Sequence, residues 1–194
     1  MPEKFDPAKK DALLSSSRHE LLDPQRVFSQ LPLRPYQTVA DVGCGPGFFT
    51  IPLAKFLFDG KVYALDVQQE MLDALTERLA AARLGNVQVI LATEKKLPLE
   101  KAVLDGALVA FTLHETGNKQ ALLKEILSHL NIGGWAAILE CHKRDTGEGP
   151  SLESRLTPEE VRELAEKAGF TFVIQKDLNE KHYMVLLKKG KKGS

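Results

Sequence analysis

From Thr38 onward the chain alternates short apolar runs with longer segments of helical periodicity, and this alternation constrains the fold more than any other feature. Parallel strands need a long crossover between them, so repeated strand and helix units imply a parallel sheet covered by helices. The pattern predicts strands at Thr38–Val42, Lys61–Asp66, Val87–Leu91, Val103–Phe111 and Trp135–Glu140. Helices are predicted between them at Phe48–Phe58, Gln69–Leu84 and Lys119–Leu130, the second closed by Gly85-Asn86. Further on, Thr157-Pro158-Glu159-Glu160 combines an N-cap, a proline at the first helical position and a glutamate at the third, so a helix should run to Ala168 and stop at Gly169. Thr171–Asp177 and Tyr183–Leu187 then read as an antiparallel hairpin closing the sheet.

Ahead of this core, Ala8–Leu22 is expected to be helical despite its serine run, forming a lid, and Asp23-Pro24 should start a second helix ending near Gln30. The expected organisation is one domain over residues 1–194: a helical lid at 1–36, an α/β core at 37–188 and a basic tail at 189–194. Lys188, Lys189, Lys191 and Lys192 in and beside that tail read as a solvated end.

Charge and cysteine content narrow the partners. Lys and Arg total 26 against 26 Asp and Glu, so no net field draws the chain to nucleic acid or to an anionic membrane, and a small-molecule partner is expected. The two cysteines, Cys44 and Cys141, argue against a disulfide-stapled secreted fold and for a reducing cytoplasm. No signal peptide or 20-residue apolar span is visible, which implies a soluble protein; the oligomeric state stays open.

The chemistry gathers at Val39-Ala40-Asp41-Val42-Gly43-Cys44-Gly45-Pro46-Gly47, where a strand runs into three alternate glycines and then a helix. Such glycines let the backbone turn sharply and approach a ligand at a helix N-terminus. A second strand ends in Asp66, roughly 20 residues on, where an acid serves a ribose diol. Dinucleotide folds need G-x-G-x-x-G for a pyrophosphate, and here the third glycine comes one residue early with Asp41 just before the loop. An acid there suits a ligand with a cationic amino-acid end.

These residues resemble the first motif, D/E-x-G-x-G-x-G, of the class I S-adenosylmethionine-dependent methyltransferases, matched by Asp41, Gly43, Gly45 and Gly47. The resemblance spans roughly Thr38 to Leu187 and includes Leu97-Pro98, Leu104-Asp105-Gly106-Ala107 and Ile132-Gly133-Gly134. It implies a Rossmann-like, seven-stranded, mostly parallel sheet with helices on both faces and a C-terminal antiparallel hairpin, binding S-adenosylmethionine. Within the class the chain looks most like the small-molecule branch of quinone-biosynthesis C-methyltransferases and arsenite methyltransferases, although two cysteines are too few for the thiol chemistry of the latter. Transfer of a methyl group to a small acceptor is the implied activity. A non-catalytic S-adenosylmethionine-binding module is the alternative, and a nicotinamide-dependent oxidoreductase a more distant one.

The implied donor site comprises Asp41, Gly43, Gly45, Gly47, Asp66, Val67, Met71, Thr93, Glu94 and Thr112. Asp41 either orients the loop, faces the ligand ammonium or caps the loop. Met71 packs on adenine or belongs to the core. Thr93 stands where relatives carry an adenine-binding Asp, with Glu94 as a substitute, or else closes its own turn. For catalysis, His114 and Glu140 lie at the ends of the fourth and fifth strands, the rim where open parallel sheets bind ligands. His114 is a candidate base or a mere hydrogen-bonding residue. A cysteine adduct through Cys141 is disfavoured, as is a metal site from Glu140, Cys141 and His142, because adjacent strand residues point to opposite faces.

Overall fold

A computed structural model describes residues 5–145, 147 and 149–191, so Lys192 of the expected tail lies outside the described residues. Seven strands form one sheet in the order β3-β2-β1-β4-β5-β7-β6. They are β1 (Thr38–Val42), β2 (Lys61–Asp66), β3 (Val87–Leu91), β4 (Leu104–Ala110), β5 (Leu130–Cys141), β6 (Thr171–Asp177) and β7 (His182–Lys188). The first five pair in parallel, and β7 enters antiparallel between β5 and the edge strand β6. Among the described residues no helix is long and apolar enough to cross a membrane.

The helices are α1 (Ser16–Leu21), α2 (Pro24–Phe28), α3 (Thr50–Phe56), α4 (Gln69–Ala81), α5 (Lys119–His129) and α6 (Pro158–Ala168). The central strands β1, β4, β5 and β7 are buried on both faces, while the edge strand β6 is exposed. Along β7 the period of two is visible: Tyr183, Val185 and Leu187 pack with Leu123 and Ile126 of α5 and Val161 of α6, while Met184 and Leu186 join Phe28 of α2 and Leu53 of α3 on the opposite face.

The capping box forms as the sequence predicts. Thr157 Oγ1 accepts the Glu160 N–H at 3.2 Å and Glu160 Oε2 accepts the Thr157 N–H at 2.7 Å. Elsewhere the boundaries move for local reasons. The helix expected at Gln69–Leu84 ends at Ala81, because Arg83 takes a left-handed φ of 53° and Leu84 N–H bonds back to Leu79. Asn86 does not cap that helix; its amide donates to the carbonyls of Ala54 and Leu57 and finishes α3 instead.

The expected single helix at Ala8–Leu22 is two pieces. A 3-10 helix covers Pro7–Leu14, and the chain extends at Ser15 before α1 begins. Ser15 Oγ accepts the Arg18 N–H at 3.3 Å, so the serine that weakens a continuous helix caps the next one. The second helix stops at Phe28, two residues before the expected Gln30.

Candidate active site

At the carboxyl ends of β1, β2 and β4 lies a cavity of about 1110 Å³, where ligands bind in open α/β sheets. The glycine loop forms one wall, and its three glycines have different surroundings. A Cβ on Gly43 would lie 2.1 Å from Thr112 Oγ1, and one on Gly47 would lie 2.4 Å from Leu75 of α4, so both are closed by protein packing. A Cβ on Gly45 would meet only Leu13, at 3.7 Å, which leaves a bare backbone facing the cavity. Gly45 also has a φ of 53°, a conformation glycine adopts without strain.

Asp66 binds this loop directly. Its Oδ2 accepts the Gly45 N–H at 2.8 Å and its Oδ1 accepts the Gln68 N–H at 3.0 Å, which aims the carboxylate into the cavity beside the bare glycine. Asp41 is 2% exposed and accepts the Thr50 hydroxyl at 2.6 Å. Burial raises its pKa to about 7, an effect the Thr50 hydrogen bond opposes and the neighbouring charge of Asp66 reinforces. Val67, Met71, Thr93, Glu94 and Thr112 also line the cavity, so of the expected donor-site residues only Gly47 does not border it. Met71 is buried in the wall, and Thr93 closes its own turn by accepting the Lys96 N–H at 3.1 Å.

On the β4 side stands a buried dyad. Glu140 accepts from His114 twice, taking the backbone N–H at 3.0 Å on Oε1 and lying 2.7 Å from Nδ1 on Oε2. This holds the ring so that Nε2 is the free nitrogen, with Glu115 Oε1 at 3.7 Å. Burial pulls the His114 pKa down, but the Glu140 hydrogen bond and the charges of Glu140 and Glu115 more than offset it and leave the imidazole above its ordinary value. The expectation that Glu140 faces the rim needs correction. His114 and Cys141 border the cavity, whereas Glu140 is 1% exposed behind His114 and His142 turns to Asp177 at 3.1 Å. Alternation along β5 separates them. Glu140 is therefore a positioning residue rather than a group that meets the reactants. Burial pushes the Cys141 thiol up to about 11, which leaves little thiolate for adduct chemistry at neutral pH.

Residues before β1 complete the enclosure. Phe5 donates its N–H to Glu115 at 3.4 Å and accepts the Gln68 amide at 3.1 Å, so the chain bridges the β4 and β2 rims. Leu13 lies over Gly45, and Arg18 enters between Phe48 and Phe111. None of these carries a motif. Glu115 adjoins His114 and was accessible to a reading of the strand end, but Phe5, Leu13 and Arg18 reach the site through tertiary contacts alone.

The family described as methyltransferase domain matches residues 39–134. A solved S-adenosylmethionine-dependent methyltransferase from Aquifex aeolicus is 34% identical, with 95% of this chain and 99% of that one superposed at a TM-score of 0.92. The chain belongs to the S-adenosylmethionine-dependent methyltransferases. Such a methyltransferase needs a backbone approach beside a ribose-binding acid, and Gly45 with Asp66 fits that need. Among curated proteins, the demethylmenaquinone methyltransferase of Bacillus mycoides (strain KBAB4) is 29% identical over 131 residues, covering 67% of this methyltransferase and 55% of that enzyme. The chain thus spans about half the length of the curated relatives it matches. The [4+2]-cyclase SpnF superposes at a TM-score of 0.78 with 17% identity, a likeness of fold alone.

Proposed function

We propose that this methyltransferase moves the methyl group of S-adenosylmethionine to a small phenolic or quinol-type acceptor. The observation that carries the reading is a single cavity holding the bare Gly45 backbone and Asp66 at one end and the Glu140-oriented His114 at the other. At about 1110 Å³ it exceeds the roughly 300–1,000 Å³ of a typical single-ligand pocket, which suits two reactants side by side. The names of the demethylmenaquinone methyltransferase relatives support the acceptor class.

The donor supplies a methyl carbon made electrophilic by its sulfonium. In the proposed arrangement Asp66 accepts from the ribose hydroxyls while Gly45 lets the ligand approach its backbone, and Thr93, Glu94 and Val67 border the adenine. Asp41, through Thr50, holds the loop from below. His114 Nε2 takes the proton of an acceptor hydroxyl, which raises electron density at the neighbouring ring carbon as that carbon attacks the methyl group and the carbon–sulfur bond breaks to release S-adenosylhomocysteine. The methylated ring carbon then loses its own proton and the ring oxygen regains one, which restores the aromatic ring. Glu140 fixes the tautomer that presents Nε2 and stabilises the imidazolium formed. The residues ahead of β1, tied across the mouth by Phe5, serve as a lid that excludes water and aligns the two reactants.

Incubation with methyl-labelled S-adenosylmethionine and a reduced demethylnaphthoquinone tests the reading. Label in the ring product, together with S-adenosylhomocysteine, is the expected result. Tight donor binding without transfer to any quinol or phenol would leave a binding module in its place.

A further inference from the structure

Arg18 is a buried cation with no counter-ion among the described residues. It projects from α1 into the cavity, with its guanidinium carbon 5.0 Å from the Phe48 ring centre and 5.1 Å from that of Phe111. Its Nε is sealed from solvent without a hydrogen-bond partner, and among the described residues no carboxylate or carbonyl meets the guanidinium at all. Arg18 lines the cavity together with Phe48 and Phe111. Desolvation brings its pKa down to about 10, partly opposed by Cys141. Buried charges are ordinarily paired, because removing an ion from water costs several kcal/mol that two aromatic faces only partly offset.

Two further observations show that the placement is built. Phe111 is not glycine and yet holds a φ of 58°, a strained conformation of the kind that gathers at ligand sites, and this sets its ring against Arg18. Helix α1 is anchored on both sides, by His19 stacked 4.5 Å from Phe48 and by the Asn179 amide on the Leu21 carbonyl at 2.6 Å. The cavity carries charges of both signs. Asp41, Asp66 and Glu94 line it near β1 to β3 and Arg18, Lys181 and His182 near β5 and β7, with Glu115 and Lys119 after β4 and Glu153 after β5 adding to both. Burial, and then the charge of Arg18, depress the His182 pKa to about 4.

We propose that Arg18 is the anion-recognition residue of this cavity, holding a carboxylate-type group on its guanidinium between Phe48 and Phe111. A planar fork with two forward donors matches a carboxylate in geometry as well as charge. The inference rests on the proposed function, since it assumes that reactants fill the cavity. The same chemistry is offered by an acidic acceptor and by the carboxyl end of the donor, and the test separates them.

Calorimetry on the full chain would use two pairs of probes, each an acid and its amide. One pair is S-adenosylhomocysteine and its carboxamide; the other is 2-naphthoate and 2-naphthamide, titrated with S-adenosylhomocysteine present. The acid of at least one pair should bind at least about tenfold more tightly, and Arg18→Met should remove that preference. Loss in the first pair assigns Arg18 to the donor carboxylate, and loss in the second assigns it to the acceptor. Equal acid-to-amide ratios in wild type and variant for both pairs would overturn the inference while leaving the donor site intact. Failure of the wild type to bind S-adenosylhomocysteine would overturn the proposed function, and this inference with it. Thermal melting supplies a second readout: without ligand, Arg18→Met should melt no lower than wild type, since it removes an unpaired buried charge. A lower melting temperature with unchanged ratios would make Arg18 structural. Arg18→Gln, which keeps the polarity and loses the charge, should repeat the loss of preference.

Discussion

The two ends of the cavity are built in opposite ways. At the donor end, Asp41, Gly43, Gly45 and Gly47 are near neighbours in the chain, and their partner Asp66 sits at the end of the adjacent strand, bonded to Gly45 by its own carboxylate. At the proposed acceptor end, His114, Glu140 and Phe5 come from three distant segments and are brought together only when the sheet and the N-terminal residues are in place. A site made of local backbone tolerates little change in the loop but much change around it. A site assembled from remote side chains loses function when any contributor moves, often without losing the fold.

The largest expected effect is at the donor end. Gly45→Val should abolish detectable S-adenosylmethionine binding, because a branched side chain is strained at a φ of 53° and would project into the space left for the ligand. Calorimetry checks it, and normal affinity in a folded variant would move the donor elsewhere. Next, His114→Ala should lower turnover by about 10²- to 10⁴-fold with donor affinity nearly unchanged, measured as kcat against the dissociation constant. Equal losses in both would erase the distinction between the two ends.

Asp66→Ala should weaken donor binding by about 1–3 kcal/mol, through loss of charge-assisted hydrogen bonds and of the acceptor that orients Gly45 N–H. Removing residues 1–14 is a sharper probe of the lid than a cut through Leu22, which is part of the core. Turnover should fall, and donor affinity should also drop, by about tenfold or less, because Leu13 lies over Gly45 and so the segment borders both ends. Loss of turnover alone would confine the lid to the acceptor.

The pH dependence is the finest probe. With the His114 pKa raised, the free-base form is reached only above the ordinary value of about 6.5, so the rising limb of kcat should lie above that pH. Glu140→Gln removes the charge that raises it and should shift the limb to lower pH while reducing the maximum. The sign for stability follows from the same shift. The pair contributes fully below the unfolded histidine value, and its contribution disappears as pH rises through the higher folded value, which urea titration across that window would detect.

Much of the molecule was legible in the chain itself. Strands β1, β2, β3 and β6 fall where the apolar runs place them; β1 and β2 are buried on both faces and so need a continuous apolar segment, whereas β3 and β6 are the half-buried and exposed edges of the sheet. The glycine loop and Asp66 were legible for a related reason: backbone conformation and the end of the neighbouring strand are local properties that residue type and spacing express directly. The Thr157 capping box is another such case.

What tertiary structure alone decided is which side chains meet. Ser15 divides the N-terminal segment because its hydroxyl finds Arg18 N–H, and Asn86 serves α3 rather than α4 because that is the helix end within reach. Glu140 reads as a rim residue in sequence, yet strand alternation sends it behind His114 and leaves Cys141 at the cavity. Arg18 carries no motif, and its proposed role depends on two rings and on the absence of a counter-ion among the described residues, in a space that exists only once β4, β5 and α1 have packed. Local residue type determines backbone path and one-dimensional periodicity; burial, pairing and charge balance depend on what the rest of the chain brings alongside.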